Sequence, residues 1–458
     1  MEPQPRPTTT TWQRSSNFHV GIASRTAILQ RGALAGNLRP VAAGGYSFAA
    51  GNLRQLLAAP RYLVSGIRAR RAKRDPKTWV IGSAFGVADG ALAFARAARD
   101  LPDPPRLVWL HRTEDESDAA RAAGFETVER DSDAGLQATL GAGLIAVTHG
   151  FGDVARFGVS GAVIVQLWHG APLKKLHADS PGVFGAGLLG RIPGMPALMR
   201  RAYRWGSQRI SLLPVSSPFF EPFMRSAFHL TDQVKVLGEP RTDVLFARDP
   251  EALTLASRAL LDERLGEVAD RRVVLFAPTW RDGQPDPSIP TAAEWEAIEA
   301  FCQRHDAMLV IRPHPLGVGV YQHSSDRVKL LPMDVQRESM PLLWGVSALI
   351  TDYSSMLIDY AVTGRPILLL APDLEHYGAT RGLYVDYAEL ADGRWFTSWA
   401  QTLAELDALF SDPRRHAASA ERSRELAAQF HTFTDGHNAE RVAKAAADLV
   451  RKRFGSST

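Results

Sequence analysis

QLWHGAPLKKL, residues 166–176, ends an apolar run in a histidine and follows it with glycine and two lysines. Imidazole titrates near neutral pH, and open parallel sheets gather their reactive groups at the C-terminal ends of strands. His169 is therefore a candidate proton acceptor, the alternative being a core histidine held by backbone bonds. IRPHP repeats the pattern with Arg312 and His314, FAPTWRD brings Thr279, Trp280, Arg281 and Asp282, and TDYSS brings Asp352, Tyr353, Ser354 and Ser355. Serine hydroxyls and free N–H groups at a helix start seat phosphate, and guanidinium groups on the same rim neutralise it. On this reading Thr279, Arg281, Arg312, Ser354 and Ser355 hold phosphate, with Asp352, Tyr353 and Asp359 as nucleotide or structural support. The plainer alternatives are that Asp352 or Ser354 only caps the helix and that Asp359 is a solvated helix residue.

The hydrophobic rhythm supplies the elements that must position these groups. From Trp79, the apolar runs WVIGSAF, RLVWLH, ETVER, LIAVTH and AVIVQLWH alternate with Ala-rich helical stretches. A second series opens at VKVLG and continues through a helix over 251–265, VVLFAPTW, the helical AAEWEAIEAFCQRH, MLVIRPHP, VKLLP, a helix around MPLLWG, ALITDYSS and PILLLAP. Near-continuous apolar strands alternating with helices imply parallel sheets covered on both faces. The expected fold class is α/β with two Rossmann-like domains. The spacing places an N-terminal extension at 1–75, a first domain at 76–235, a second domain at 236–430 and a helix packing back across both at 431–458.

Composition narrows the chemistry. A chain of 458 residues with 45% apolar residues exceeds one ordinary core. A net charge of +4 suits anionic ligands or lipid surfaces without calling for nucleic acid. One cysteine, Cys302, leaves no internal disulfide and no thiolate zinc site, and the 13 histidines include no HExxH pattern, so no metal is expected. There is no Walker-type phosphate loop. GAGLLG at 185–190 follows no strand, and GFGDVA at 150–155 lacks the acidic residue that reads a ribose, so the latter is read as a substrate-side loop. The polar start MEPQPRPTTTTWQRSS and the lack of a spanning apolar run point to a cytoplasmic protein. The basic cluster Arg68, Arg70, Arg71, Lys73 and Arg74 and the Gly-rich insert Val183 to Met199 could touch an anionic membrane, the alternative being a solvated linker and an ordinary loop.

In sequence order, QLWHGAPLKKL, GEPRTDVLF, FAPTWRD, IRPHP, LITDYSSMLIDYAVTGRPILLL, DLEHY, RGLYVDY and TDGHNAERV resemble the motif series of the CDP-glycerol glycerophosphotransferases, a family of teichoic acid primases and polymerases and related capsule polymerases. The resemblance implies a GT-B fold, with nucleotide in the second domain and acceptor approaching from the first. It carries a catalytic role onto His169 and His314, makes the phosphate held by Thr279, Arg281, Arg312, Ser354 and Ser355 the donor diphosphate, and implies no cofactor. The implied partners are a CDP-glycerol or related CDP-alditol donor and a lipid-linked or oligosaccharide acceptor, with an anionic membrane surface as a further candidate and no nucleic acid. The chain before residue 75, the Gly-rich insert and Ala171, where threonine is common, depart from the pattern. A GT-B glycosyltransferase using a nucleotide sugar is the alternative within the fold, and a non-catalytic surface-binding module is the alternative outside it.

Overall fold

Five apolar runs of the first half form strands β1 (Asp75–Gly82), β2 (Arg106–His111), β3 (Glu126–Glu129), β4 (Ala142–Val147) and β5 (Val163–Gln166). All pair in parallel, in the order β3-β2-β1-β4-β5. β4 and β5 are buried along their whole length, which is why they carry no polar alternation in the sequence. The computed structural model describes residues 67, 69–181, 184, 192–246, 249–266, 268, 270–281, 284–314, 317, 319 and 321–455. All of these belong to one of the chain's two compact units, Ser47–Thr458. The expectations placed on residues 1–66, Arg68, Val183 and Asp282 fall outside the described residues.

A second sheet repeats the first. Strands β8 (Arg272–Ala277), β9 (Ala307–Ile311), β10 (Val328–Leu330), β11 (Ala348–Thr351) and β12 (Ile367–Leu369) are again all parallel, in the order β10-β9-β8-β11-β12. In each sheet the connection reverses direction beside the central strand, between β1 and β4 and between β8 and β11. Loops diverge at such a switch point and leave a crevice at the carboxyl ends of the strands.

Two sequence expectations change. VKVLG, expected to open the second series, forms β7 (Val234–Val236) and pairs with β6 (Leu213–Val215). The Val165–Leu212 bridge joins that pair to β5, so it extends the first sheet. A three-residue strand is placed by whichever edge is free, which local sequence does not reveal. MPLLWG, expected as a helix, is a 3-10 turn over Met340–Gly345, with Pro341 in its first turn.

The helix Pro413–Phe430 packs Leu426 and Phe430 into the core that the second domain shares. The helix Asn438–Phe454 then crosses back, seating Val442, Ala443, Ala446 and Val450 against Phe94, Ala95 and Ala98 of the first domain. Its first turn is capped from a distance: the Asn438 and Ala439 N–H groups donate to the Asp243 carboxylate, at 2.8 Å each. GEPRTD and TDGHNAERV are thus two halves of one contact that ties the return helix to the interdomain turn.

Candidate functional site

β5 stops at Gln166, and the next residues make a sharp exit. Trp168 sits at φ 58° and Gly170 at φ 140°. This turn holds the half-buried His169 ring parallel to His149, with centroids 4.0 Å apart, while Phe85 stands edge-on to both. His169 Nδ1 lies 3.5 Å from the Thr148 carbonyl. A carbonyl only accepts, so Nδ1 carries the proton and Nε2 keeps its lone pair. Burial, and then the neighbouring His149, hold the His169 pKa well below the ordinary imidazole value. His149 was not foreseen, although it ends LIAVTH just as His169 follows AVIVQ. Its backbone N–H donates to Asp153 at 2.7 Å, and Asp153 also accepts from Thr148, so GFGDVA braces the histidine stack.

On the facing domain, Asp352 at the end of β11 is 1% exposed and accepts from the Thr279 and Tyr353 backbone N–H groups and from Arg281 Nη1. Arg281 also makes a two-point contact with Asp373, at 2.7 and 2.9 Å, and its guanidinium lies about 5 Å from the Tyr353 and Tyr377 ring centres. Two carboxylates thus neutralise Arg281, and it holds β8, β11 and the Asp373 turn together. Arg312 donates to the carbonyls of Leu331, Gln336 and Arg337 and clamps that loop, contacts that leave its charge uncancelled. Asp359 is not the solvated helix residue of the plainer alternative. It is 2% exposed and takes both oxygens to Arg241 Nη2, at 2.7 and 2.9 Å, while Arg241 Nε reaches Glu239 at 2.8 Å.

Ser354, Ser355 and His314 remain on the rim. Both serines are half-buried, and Ser354 Oγ accepts from the Met356 N–H at 3.3 Å, a local capping bond. The helix they open is only Met356–Ala361, with the turn closing at Gly364. The Thr279 hydroxyl is buried with no partner among the described residues. The exposed His314 ring stacks on Trp280, with centroids 5.8 Å apart, and Arg381 covers Trp280 at 4.8 Å. The surrounding protein, and then the Lys174 charge, push the His314 pKa down to about 4. Among the described residues no cluster of three or more His, Cys, Asp or Glu could hold a metal ion.

The two rims meet. A Cβ built on Gly170 would lie 3.1 Å from Ser355 Oγ and 3.2 Å from Arg241 Nη2, so only glycine lets the His169 turn approach the Ser354–Ser355 turn this closely. Lys174 and Leu383 form an antiparallel bridge, Lys175 N–H donates to Gly382 O at 3.0 Å, and Tyr384 N–H donates to Leu173 O at 2.9 Å. QLWHGAPLKKL and RGLYVDY therefore dock as one short ribbon across the domain junction. Gly170→Ala is expected to slow catalysis at least about tenfold, because the strained φ and the added methyl group push the two rims apart. Turnover within a factor of about two of wild type would show that the close approach is not needed.

A family model described as CDP-Glycerol:Poly(glycerophosphate) glycerophosphotransferase matches residues 66–447. The chain belongs to this glycerophosphotransferase family. Relatives of this family member include the teichoic acid ribitol-phosphate polymerase TarK of Staphylococcus aureus, 28% identical over 294 residues that cover 63% of this chain and 52% of the relative. The teichoic acid glycerol-phosphate transferase of the same organism is 32% identical over 237 residues, covering 50% and 57%. The chain thus spans about half the length of the curated relatives it matches. Among solved structures, the wall teichoic acid polymerase TagF superposes with a TM-score of 0.69 at 20% identity, covering 88% of this chain and 98% of that one. The shared fold is GT-B, two Rossmann-like domains facing each other across a cleft.

Proposed function

We propose that this family member transfers an alditol phosphate from a CDP-alditol such as CDP-glycerol to a hydroxyl of a polymer or lipid-linked acceptor, releasing CMP. The acceptor oxygen bonds to the alditol-side phosphorus, the phosphoanhydride P–O bond breaks, and the electron pair leaves with CMP. His169 Nε2 takes the acceptor proton. The carrying observation is the approach of Gly170 to Ser355 within the GT-B cleft, which supports a base at His169 acting next to a phosphate held at Ser354 and Ser355, the proximity that in-line transfer requires. Ser354, Ser355, the Thr279 hydroxyl and His314 are the proposed donors to the diphosphate. Bound diphosphate raises the His314 pKa, turning a neutral hydrogen-bond donor into a partial cation as charge builds on the leaving group. Incubation with CDP-glycerol and CDP-ribitol, each with a short acceptor, followed by mass analysis of the products, tests the donor and counts the units added.

The low histidine pKa values fix the sign of the pH dependence. A base that must be neutral works above its pKa and fails as pH falls through it, so kcat/KM is expected to stay flat from neutrality through the ordinary imidazole value of about 6.5 and to drop only at lower pH. A fall centred near the ordinary imidazole value of about 6.5 would show that neither depressed histidine is the base.

Contact with an anionic membrane belongs to the same reading. Among the described residues no helix is long and apolar enough to cross a bilayer. The helix Met195–Ser207 exposes Leu198 and Trp205 beside Arg200, Arg201 and Arg204, the composition of a helix lying in a headgroup layer. Rings connect it to the site: Tyr203 stacks on His177, which contacts Trp168, which lies against His169. Within the basic stretch Arg74 is half-buried and bound to backbone carbonyls, while Arg70, Arg71 and Lys73 are exposed.

A further inference from the structure

A second concavity lies at the opposite end of the first sheet from His169. A pocket of about 640 Å³ sits at the N-terminal ends of β1 and β5 and is lined by Arg70, Arg74, Arg209 and Arg453 around Gly161 and Ser211. Among the described residues no Asp or Glu lines it. Arg74 is held rigidly: its terminal nitrogens donate to the carbonyls of Thr139, Ala142, Gly158 and Ser160. Its Nε is buried with no acceptor among the described residues, and it faces Gly161, where a Cβ would come within 3.0 Å. Carbonyls satisfy donors without cancelling charge. Burial and the nearby Arg453 accordingly push the Arg74 pKa down to about 10.

Like charges gathered in a recess repel, and a multivalent oxyanion relieves that repulsion while accepting several guanidinium hydrogen bonds at once. The surroundings identify how the anion is presented. Trp205, 46% exposed, lies under the Arg209 guanidinium at 3.9 Å. A neighbouring hollow of about 650 Å³ shares Ala72 and is lined by Ile67, Arg71 and Lys73, with Ile67 56% exposed. Exposed apolar side chains rimming a basic recess match the layered chemistry of a phospholipid surface, phosphate beside hydrocarbon.

We propose that this pocket binds the phosphate of an anionic lipid headgroup. The proposal rests on the membrane-contact reading above and adds to it a defined site on the face away from the catalytic cleft. Free phosphate carries the same chemistry, so two arms are needed. In the first, inorganic phosphate is added at matched ionic strength to wild type and to R70Q/R453Q, which leaves the Arg74 backbone contacts in place. The melting temperature of wild type is expected to rise, and that of the variant to rise clearly less. Equal rises overturn the site. In the second arm, binding to phosphatidylglycerol-containing vesicles is compared with binding to pure phosphatidylcholine. R70Q/R453Q is expected to weaken binding to the anionic vesicles at least about tenfold, and R414Q/R415Q, with the same loss of charge at two exposed positions of the helix Pro413–Phe430, less than about threefold. Equal weakening means a diffuse electrostatic film and overturns the pocket as a headgroup site. If wild type does not bind the vesicles while the phosphate effect is confined to R70Q/R453Q, the pocket is one for soluble phosphate and the lipid source is overturned. CMP release with a water-soluble acceptor is measured in parallel. Its absence in wild type, with vesicle binding intact, would overturn the proposed transfer reaction and leave the pocket standing.

Discussion

His169→Ala is expected to lower the rate of CMP release at least about a hundredfold while the protein melts normally. The ring is held by a parallel stack on His149 and by Nδ1 at the Thr148 carbonyl, leaving Nε2 as its proton acceptor, one residue before the Gly170 that approaches Ser355. Its removal takes away the base but no hydrogen bond that the fold relies on, since its one protein partner is a carbonyl at the limit of hydrogen-bond length. A variant that melts like wild type and retains near wild-type turnover would pass the role to another group. His314→Ala is expected to fall into the same range through lost stabilisation of the leaving diphosphate.

Arg241→Met is expected to cost about 3–5 kcal/mol of stability, the largest effect of a single substitution in the domain junction. The guanidinium is 7% exposed and is shared between Asp359 and Glu239, so its loss strands two buried carboxylates. Burial already pushes the Glu239 pKa up, and the Arg241 charge is what counters that. Urea unfolding measures the loss. Arg241→Lys, which keeps the charge but not the forked geometry, should recover part of it. A loss below about 1 kcal/mol for Arg241→Met would mean that the carboxylates find other partners or take up protons at little cost.

What the sequence made legible follows physical range. β4 and β5 were readable because burial on both faces writes a continuous apolar run into consecutive residues, and His169 was readable because it follows such a run. The carboxylate partners of Arg281 were not legible because Asp352 and Asp373 lie 71 and 92 residues away. A cation at a strand end looks the same in the sequence with or without such partners. The partner of Asp359 was hidden for the same reason, Arg241 being 118 residues distant. His149 could have been found by applying to LIAVTH the strand-end rule that was applied to AVIVQLWH. The approach of Gly170 to Ser355 had no sequence signal beyond the glycine itself, because it depends on how the two domains face each other.

The identity of the leaving group tests the central claim most directly. Purified protein is incubated with CDP-glycerol and a short hydroxyl-bearing acceptor, and the released nucleotide and the product mass are determined together. The account predicts CMP, an acceptor heavier by whole glycerol phosphate units, and loss of both signals in His169→Ala. Release of CDP with no phosphate carried to the acceptor, or no turnover of CDP-glycerol while a nucleotide sugar supplied in its place gives up its sugar, would contradict it.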